Sequence, residues 1–436
     1  MTDEYNLYVS IDTGGSQTKI IYQFKNSKQL SYLMMPPGIE QISFEQLKRY
    51  QERQGWIGHP TALQQAWLEW KESIYVVGEF VTEFAPQDRI KERKYENALY
   101  KVLAAIGVIL EKHQVVKKRK FNIYLALVLP WNEYNDRTRF EEQLKLMFKS
   151  FKFRGQSWNL SLNHFLCRPE GGGLAAIRMK QKGIAWLQES IIAVLMFGHR
   201  NVTVIYFEKG ILKHGDSPLL GFSLLLDEVC SRTSGLSRDQ LATAIFKGIS
   251  SASADVYKGR NTVHPQWDKL ESIVSLATAK DEALRNSERL DIARAIELAT
   301  LNYWETIKKW LDKNLPSQPE EVIIGGGAAT FIEPELEAYF NCESQETYEY
   351  GRRRQERRPN SYRNGSYKTA HSNMFWASDI ETQIEDVFQF GDYHQKKRLS
   401  EQCVSQRLID CFGMFDQLKD TIAEKVKANA ESCKSA

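Results

Sequence analysis

A stretch near the start of the chain returns later in it, and this repeat limits what the chain can fold into. Leu7 to Phe24 reads LYVSIDTGGSQTKIIYQF: strand, Gly-rich turn, strand. Shifted by 184 positions it lies on Ile191 to Glu208, IIAVLMFGHRNVTVIYFE, without a gap. Gly14 falls on Gly198, and Ile20, Ile21 and Tyr22 fall on Val204, Ile205 and Tyr206. Two hairpins of one design imply two similar halves able to close on one ligand. In the first hairpin Asp12 stands where the strand should end. Gly14 and Gly15 permit a tight turn whose backbone N–H groups can approach an anion. Ser16, Gln17, Thr18 and Lys19 complete it with hydroxyls, an amide and a charge. This suits a phosphate with its Mg²⁺, although many hairpin turns carry Asp and Gly for conformational reasons alone.

The chain has 436 residues, 42% hydrophobic and 26% charged, enough for two or three globular domains with sizeable cores. A net charge of +3 argues against the body of the protein binding DNA directly. Six scattered cysteines, with no C-x-x-C, argue against a zinc site or a disulfide framework and fit a reducing cytoplasm. No basic leader precedes an apolar core at the N-terminus, and runs such as Ile191–Phe197 are too short to span a bilayer.

In chain order, the pattern predicts strands at 29–35, 73–78, 121–129 and 161–167. Helices are expected over 88–114, with Leu99, Val102, Leu103, Ile106 and Leu110 inward, and over 135–150. Arg168-Pro-Glu170-Gly-Gly-Gly173 then leads into a helix. After the second hairpin, helices are expected at 221–230, 238–246, 270–279 and 288–315, the last with Leu290, Ile292, Ala295, Leu298 and Leu301 on its inner face. A strand at 320–324 ends in Gly325-Gly326-Gly327-Ala328, a loop that brings bare backbone beside something flat or anionic, or that needs glycine for its dihedrals alone. Gly351–Arg363 carries six arginines and one acid. It reads as a solvated loop or as a basic arm for an acidic partner. A helix over 402–430, with Phe415, Leu418, Ile422 and Val426 on one face, closes the chain.

Three candidate phosphate or nucleotide loops thus occur in fixed order, Asp12–Lys19, Met196–Thr203 and Gly325–Ala328, with Pro169-Glu170 between the first two. This order resembles the actin, sugar-kinase and heat-shock-chaperone ATPase superfamily. Within it the chain looks most like the ParM-type plasmid-segregation actins, through Leu129-Pro130, Pro169-Glu170 and the closing segment Arg407–Phe415. The resemblance spans essentially the whole chain. It implies an α/β, actin-like fold: two similar halves, each a mixed sheet with flanking helices, around a nucleotide cleft. The first half would cover 1–168, with a small insertion at about 39–84, and be rejoined by 375–436. The second would cover 169–345, with a helical insertion at about 226–287. Residues 346–374 would form a basic, mobile loop.

Carried over residue by residue, the resemblance makes Asp12 the holder of the Mg²⁺ shell. Gly14, Gly15, Ser16 and Gln17 would cradle the β- and γ-phosphates, with Lys19 as counter-charge. Glu170 would orient the attacking water. Gly198, His199, Arg200 and Asn201 would cover the phosphates from the other side, and Gly325, Gly326, Gly327 and Ala328 would lie against adenosine. One position departs from the pattern. The second phosphate loop normally starts with an Asp, and Met196 stands there, unable to offer a hard cation an oxygen. His199 or Arg200 would compensate by touching phosphate.

The function this implies is a slow ATPase that polymerises with ATP (GTP being the other candidate) and Mg²⁺. Its filament would belong to a bacterial cytoplasmic cytoskeleton, for plasmid segregation or cell-shape organisation. Its partners would be further copies of itself and a small adaptor that binds DNA or the membrane. The alternatives are a sugar-type kinase, which needs a base for a substrate hydroxyl, and a chaperone ATPase, which needs a peptide-binding domain that the chain has no room for.

Overall fold

A computed structural model describes residues 5–53, 59–84, 92–115, 120–251, 264–315, 319–341, 373–388 and 404–432. Strands β1 (Tyr5–Thr13) and β2 (Thr18–Phe24) form the first hairpin, followed by β3 (Ser31–Met35). Next come β4 (Ile39–Ile42), helix α1 (Phe44–Arg53), β5 (Ala66–Trp70), β6 (Ser73–Val77) and helix α2 (Lys94–Lys112). Then follow β7 (Lys120–Leu129), α3 (Arg137–Phe148), β8 (Lys152–Phe153), β9 (Gln156–Ser157) and β10 (Asn159–Pro169).

The chain continues with α4 (Gly172–Lys182), α5 (Ile184–Glu189) and the second hairpin, β11 (Ile191–Phe197) and β12 (Val202–Glu208), then β13 (Ile211–Asp216). Helices α6 (Phe222–Arg232), α7 (Arg238–Ser251), α8 (Glu271–Val274) and α9 (Glu282–Asn314) precede β14 (Glu321–Gly325). Helix α10 (Glu333–Asn341), β15 (Asn373–Trp376), α11 (Glu381–Phe388) and α12 (Val404–Ser432) complete the described chain.

The repeat seen in the sequence is a repeat of sheets. The first runs β10-β7-β1-β2-β3 and the second β15-β14-β11-β12-β13. In each, three parallel strands are followed by two antiparallel ones. The hairpins share a register: Asp12 faces Lys19 and Met196 faces Thr203, the same two positions moved by one repeat. Leu7, Val9 and Ile11 are buried, and so are Tyr8, Ser10 and Asp12 between them. Helices therefore cover both faces, as a parallel sheet requires.

A third sheet, β4-β6-β5-β8-β9, stands on the first half. The expected insertion at 39–84 supplies three of its strands, and the turn at 152–157 supplies the other two. Phe153 reaches helix α2 at Gly107, where an added Cβ would lie 2.4 Å from the ring. Only glycine lets the helix come so close.

Three helix expectations are corrected. The helix expected over 270–279 is one turn, α8. Helix α9 starts six residues earlier than expected, because Asp281 accepts the Leu284 N–H at 3.0 Å and caps it. Its inner face is Ile292, Ala295, Ile296, Ala299, Tyr303 and Ile307, whereas Leu290, Leu298 and Leu301 are exposed.

Where the chain was expected to return to the first half, at 375, Asn373–Trp376 instead extends the second sheet beside β14. Helix α12 is the segment that packs on the first sheet and on α4. It buries Leu408, Cys411, Phe415 and Leu418, but its apolar face stops short of Val426, which is 62% exposed. The basic segment 351–363 lies outside the described residues.

Candidate functional site

The two hairpin turns face each other between the halves. A Cβ on Gly15 would lie 3.1 Å from the Arg200 Cβ and 3.8 Å from the His199 ring. Gly14 is equally confined, since its Cβ would meet the Gln17 carbonyl at 2.7 Å and the Lys19 ammonium at 3.2 Å. The second turn is closed by Gly198 N–H on the Asn201 carbonyl at 2.9 Å. Asn201 donates through its side chain to the carbonyls of Ser217 and Pro218. Of the residues singled out in the sequence, Asp12, Gly14, Gly15, Lys19, Glu170, His199 and Arg200 gather here. Gln17 turns away from the centre to accept from Arg407 Nη1 at 3.0 Å.

The centre is a knot of buried charge. Lys19 Nζ donates to Asp12 Oδ2 at 2.6 Å. Lys94 Nζ, on the first turn of α2, donates to Asp12 Oδ1 at 3.0 Å and to Glu170 Oε1 at 2.6 Å. The other Glu170 oxygen accepts from the Thr203 hydroxyl at 3.1 Å, which also bonds Ser217 at 2.6 Å. Burial alone would raise the Asp12 carboxyl. The Lys19 and Lys94 ammonium groups outweigh it and hold Asp12 well below the usual carboxylate range. Burial likewise opposes the Lys94 charge, and Asp12 and Glu170 outweigh it to raise Lys94 above an ordinary lysine.

Two turns along α2 from Lys94 is Lys101, buried and without a hydrogen-bond acceptor among the described residues. Burial and the neighbouring Lys94 push it down to about 8, against the pull of Asp12. Burial also lowers His199, so its ring is neutral at pH 7.

These side chains do not fit the expected Mg²⁺ site. Both Asp12 oxygens are engaged by ammonium groups, Glu170 is engaged at both of its own, and Met196 has no oxygen to give. Met196 packs instead with the apolar cluster of Leu174, Val194 and Ile205 under α4. Among the described residues no three His, Cys, Asp or Glu side chains assemble as a metal-ligand set.

Glu170 is placed by the segment after β10. Its N–H donates to the Leu129 carbonyl at 2.9 Å, which explains why Leu129-Pro130 and Pro169-Glu170 belong together. Gly171 follows at φ +87°, a conformation open to glycine. The N–H groups of Gly171, Gly173 and Leu174 then converge on Asp410 of α12, at 3.0, 2.8 and 3.2 Å. A carboxylate from one helix thus caps the start of another. Gly173 and Gly413 let them touch: a Cβ on either would lie about 2 Å from the other helix's backbone, at 1.9 and 2.1 Å.

The third glycine loop adjoins the second turn. Gly326, at φ +94°, sits against Phe197, whose carbonyl accepts the Ala328 N–H at 3.2 Å. Gly325 is pressed on Leu174, and only Gly327 has open space around its Cα. Gly325 and Gly326 line a small cavity with Thr330, Glu333, Trp376 and Gln406.

Lys94, Lys101, Glu133 and Asp410 were not assigned roles from the sequence. For the two lysines a signal existed, since they stand seven apart on the apolar stripe that carries Ala98 and Val102.

Among solved structures the chain is similar to the archaeal actin homologue Ta0583, at 12% identity over 95% of this chain and 99% of that one, with a TM-score of 0.53. It is similar also to the apo ParM protein of pSK41, at 12% identity over 96% and 99% of the two chains, with a TM-score of 0.50. No protein-family profile and no curated protein matches the chain. The fold is α/β and actin-like, of the ParM type. No helix among the described residues is long and apolar enough to cross a membrane.

Proposed function

We propose that this chain binds a nucleoside triphosphate, ATP in the first instance, between its two halves and polymerises in the bound state. The observation that carries the reading is the pair of repeated hairpin turns meeting at Gly15 and Arg200, over the part-buried Lys19 of the first strand pair and the buried Lys94 of helix α2. Such a place collects an anion and links its occupancy to the relative position of the halves. Gly14 and Gly15 present backbone to the phosphates and Lys19 and Lys94 present charge. Gly198, His199, Arg200 and Asn201 close from the other side, and the Gly325–Ala328 loop flanks the base.

Glu170 is the group that orients a water. With both its oxygens engaged, hydrolysis is slow and serves to time disassembly. The fold shared with ParM and the archaeal actin homologue supports self-assembly as the outcome. The filament acts in the cytoplasm through an adaptor that binds DNA or the membrane, and the segment 351–363 is where that contact is sought first.

Light scattering with and without ATP tests the reading. Large assemblies that form only with nucleotide support it, and a monomer that transfers phosphate to a sugar replaces it with the kinase alternative. GTP in a parallel run settles the base preference.

A further inference from the structure

We propose that the Lys94 ammonium takes the place of the divalent cation in this cleft, so that the protein binds its nucleoside triphosphate without metal. The inference rests on the reading of the cleft as a nucleotide site and goes further in assigning where the positive charge comes from.

The ammonium lies between the two carboxylates a cation would bridge, 3.0 Å from Asp12 and 2.6 Å from Glu170. It is 6% exposed and so is not a passing surface contact. Its backbone is fixed as well: Glu133 accepts the N–H groups of Lys94 and Tyr95 at 3.0 and 2.7 Å, which pins the start of α2 over the site.

The second hairpin agrees. Where the first carries Asp12 opposite Lys19, the second carries Met196 opposite Thr203. The second jaw thus offers no carboxylate to a metal, and its Thr203 hydroxyl donates to Glu170 instead. A cation held by Asp12 alone would have to displace both ammonium groups from it, leaving the part-buried Lys19 without its carboxylate partner and Lys94 with Glu170 only.

Charge in the cleft matches a metal-free ligand. A triphosphate without its metal is more anionic than the metal complex and needs more cationic side chains. Lys101 supplies one, buried and without a hydrogen-bond acceptor among the described residues, and Arg200 supplies another, paired with Glu133 through Nη2 but with its Nε buried and unpartnered. An ammonium is a compact point charge suited to phosphate oxygens.

The test is isothermal titration of the full chain with ATP, in EDTA and in MgCl₂. The expected result is a Kd that differs by no more than about threefold between the two buffers. Lys94→Gln, checked for folding by circular dichroism, should lose about tenfold or more of its affinity in EDTA and recover part of it in MgCl₂. If the wild-type protein binds ATP only with Mg²⁺, the proposal is overturned while the nucleotide reading stands. Binding in neither buffer overturns both. A folded Lys94→Gln protein that keeps its affinity in EDTA also overturns the role of Lys94, and the wild-type comparison stands even if that variant does not fold.

Discussion

Arg200 of the second hairpin turn donates to Glu133 Oε1 of the first half at 3.1 Å. The same carboxylate accepts the N–H groups of Lys94 and Tyr95. One side chain therefore holds the helix that carries the site lysines and also grips the opposite jaw. Glu133→Ala leaves two buried N–H groups without an acceptor and frees Arg200. A loss of about 2–3 kcal/mol is expected in urea unfolding. A loss below about half a kilocalorie would mean that water replaces the carboxylate at no cost.

The same bridge places Arg200 and His199 over Gly15, within reach of anything bound there. His199→Ala with Arg200→Ala should weaken ATP binding by about tenfold, the worth of one or two hydrogen bonds to a charged ligand. Titration calorimetry reads this directly. Unchanged affinity would remove the second turn from the site.

Behind the cleft, Asp410 joins the start of α4 to the C-terminal helix. Asp410→Ala should cost about 2–3 kcal/mol, since three helix-start N–H groups lose a buried acceptor. It should also slow hydrolysis, because Gly171 is the neighbour of Glu170. A variant with an unchanged melting temperature would show that the cap contributes nothing.

Much of this was legible in the chain. The register of the second hairpin could be read from Gly14 and Gly198, because a two-residue period and a turn glycine leave little freedom in pairing. The third sheet could not, since β8 and β9 are two residues each and join strands from residues 66–77 far along the chain. The inner face of α9 was misread because leucines were counted as core. Ile292 and Ala295 are buried as expected and Ile296 joins them, while Leu290, Leu298 and Leu301 are left outside. At the site, Asp12 and the glycine turns were marked by their places in the repeated hairpins, and Glu170 by the family resemblance. Lys94 stood out only as a charge on an apolar stripe, and its meaning depends on an ion pair spanning 76 residues to Glu170.

Lys101 gives a prediction in pH. Its folded value of about 8 lies below that of an unfolded lysine. The unfolded chain therefore keeps the proton longer, and this group's contribution to stability rises with pH between about 8 and 10. Below pH 8 the buried charge is a burden on the empty protein. Lys101→Met should stabilise the nucleotide-free chain at pH 7, by on the order of 2 kcal/mol. It should also flatten the pH dependence of stability between 8 and 10 and weaken ATP binding. Thermal melts at several pH values check this, and an unaltered pH profile would refute the assignment of that titration to Lys101.

The two hairpins are unequal at one position, and reversing the inequality tests what Asp12 does. Asp12→Ala removes the carboxylate partner of Lys19 and one of the two that hold Lys94, which keeps only Glu170. ATP-dependent assembly should be lost even if the protein still binds nucleotide through its lysines. Met196→Asp makes the complementary change. It adds a carboxylate opposite Thr203, beside Glu170, and so gives the second jaw the oxygen that it lacks. Phosphate release by this variant should become faster and Mg²⁺-dependent. The added charge sits on a face packed against Leu174 and Val194, so some stability is lost at the same time. Sedimentation with ATP scores the first variant and a phosphate-release assay, with and without Mg²⁺, scores the second. An Asp12→Ala protein that assembles as the wild type does would mean that the knot of charge is structural and that nucleotide is sensed elsewhere.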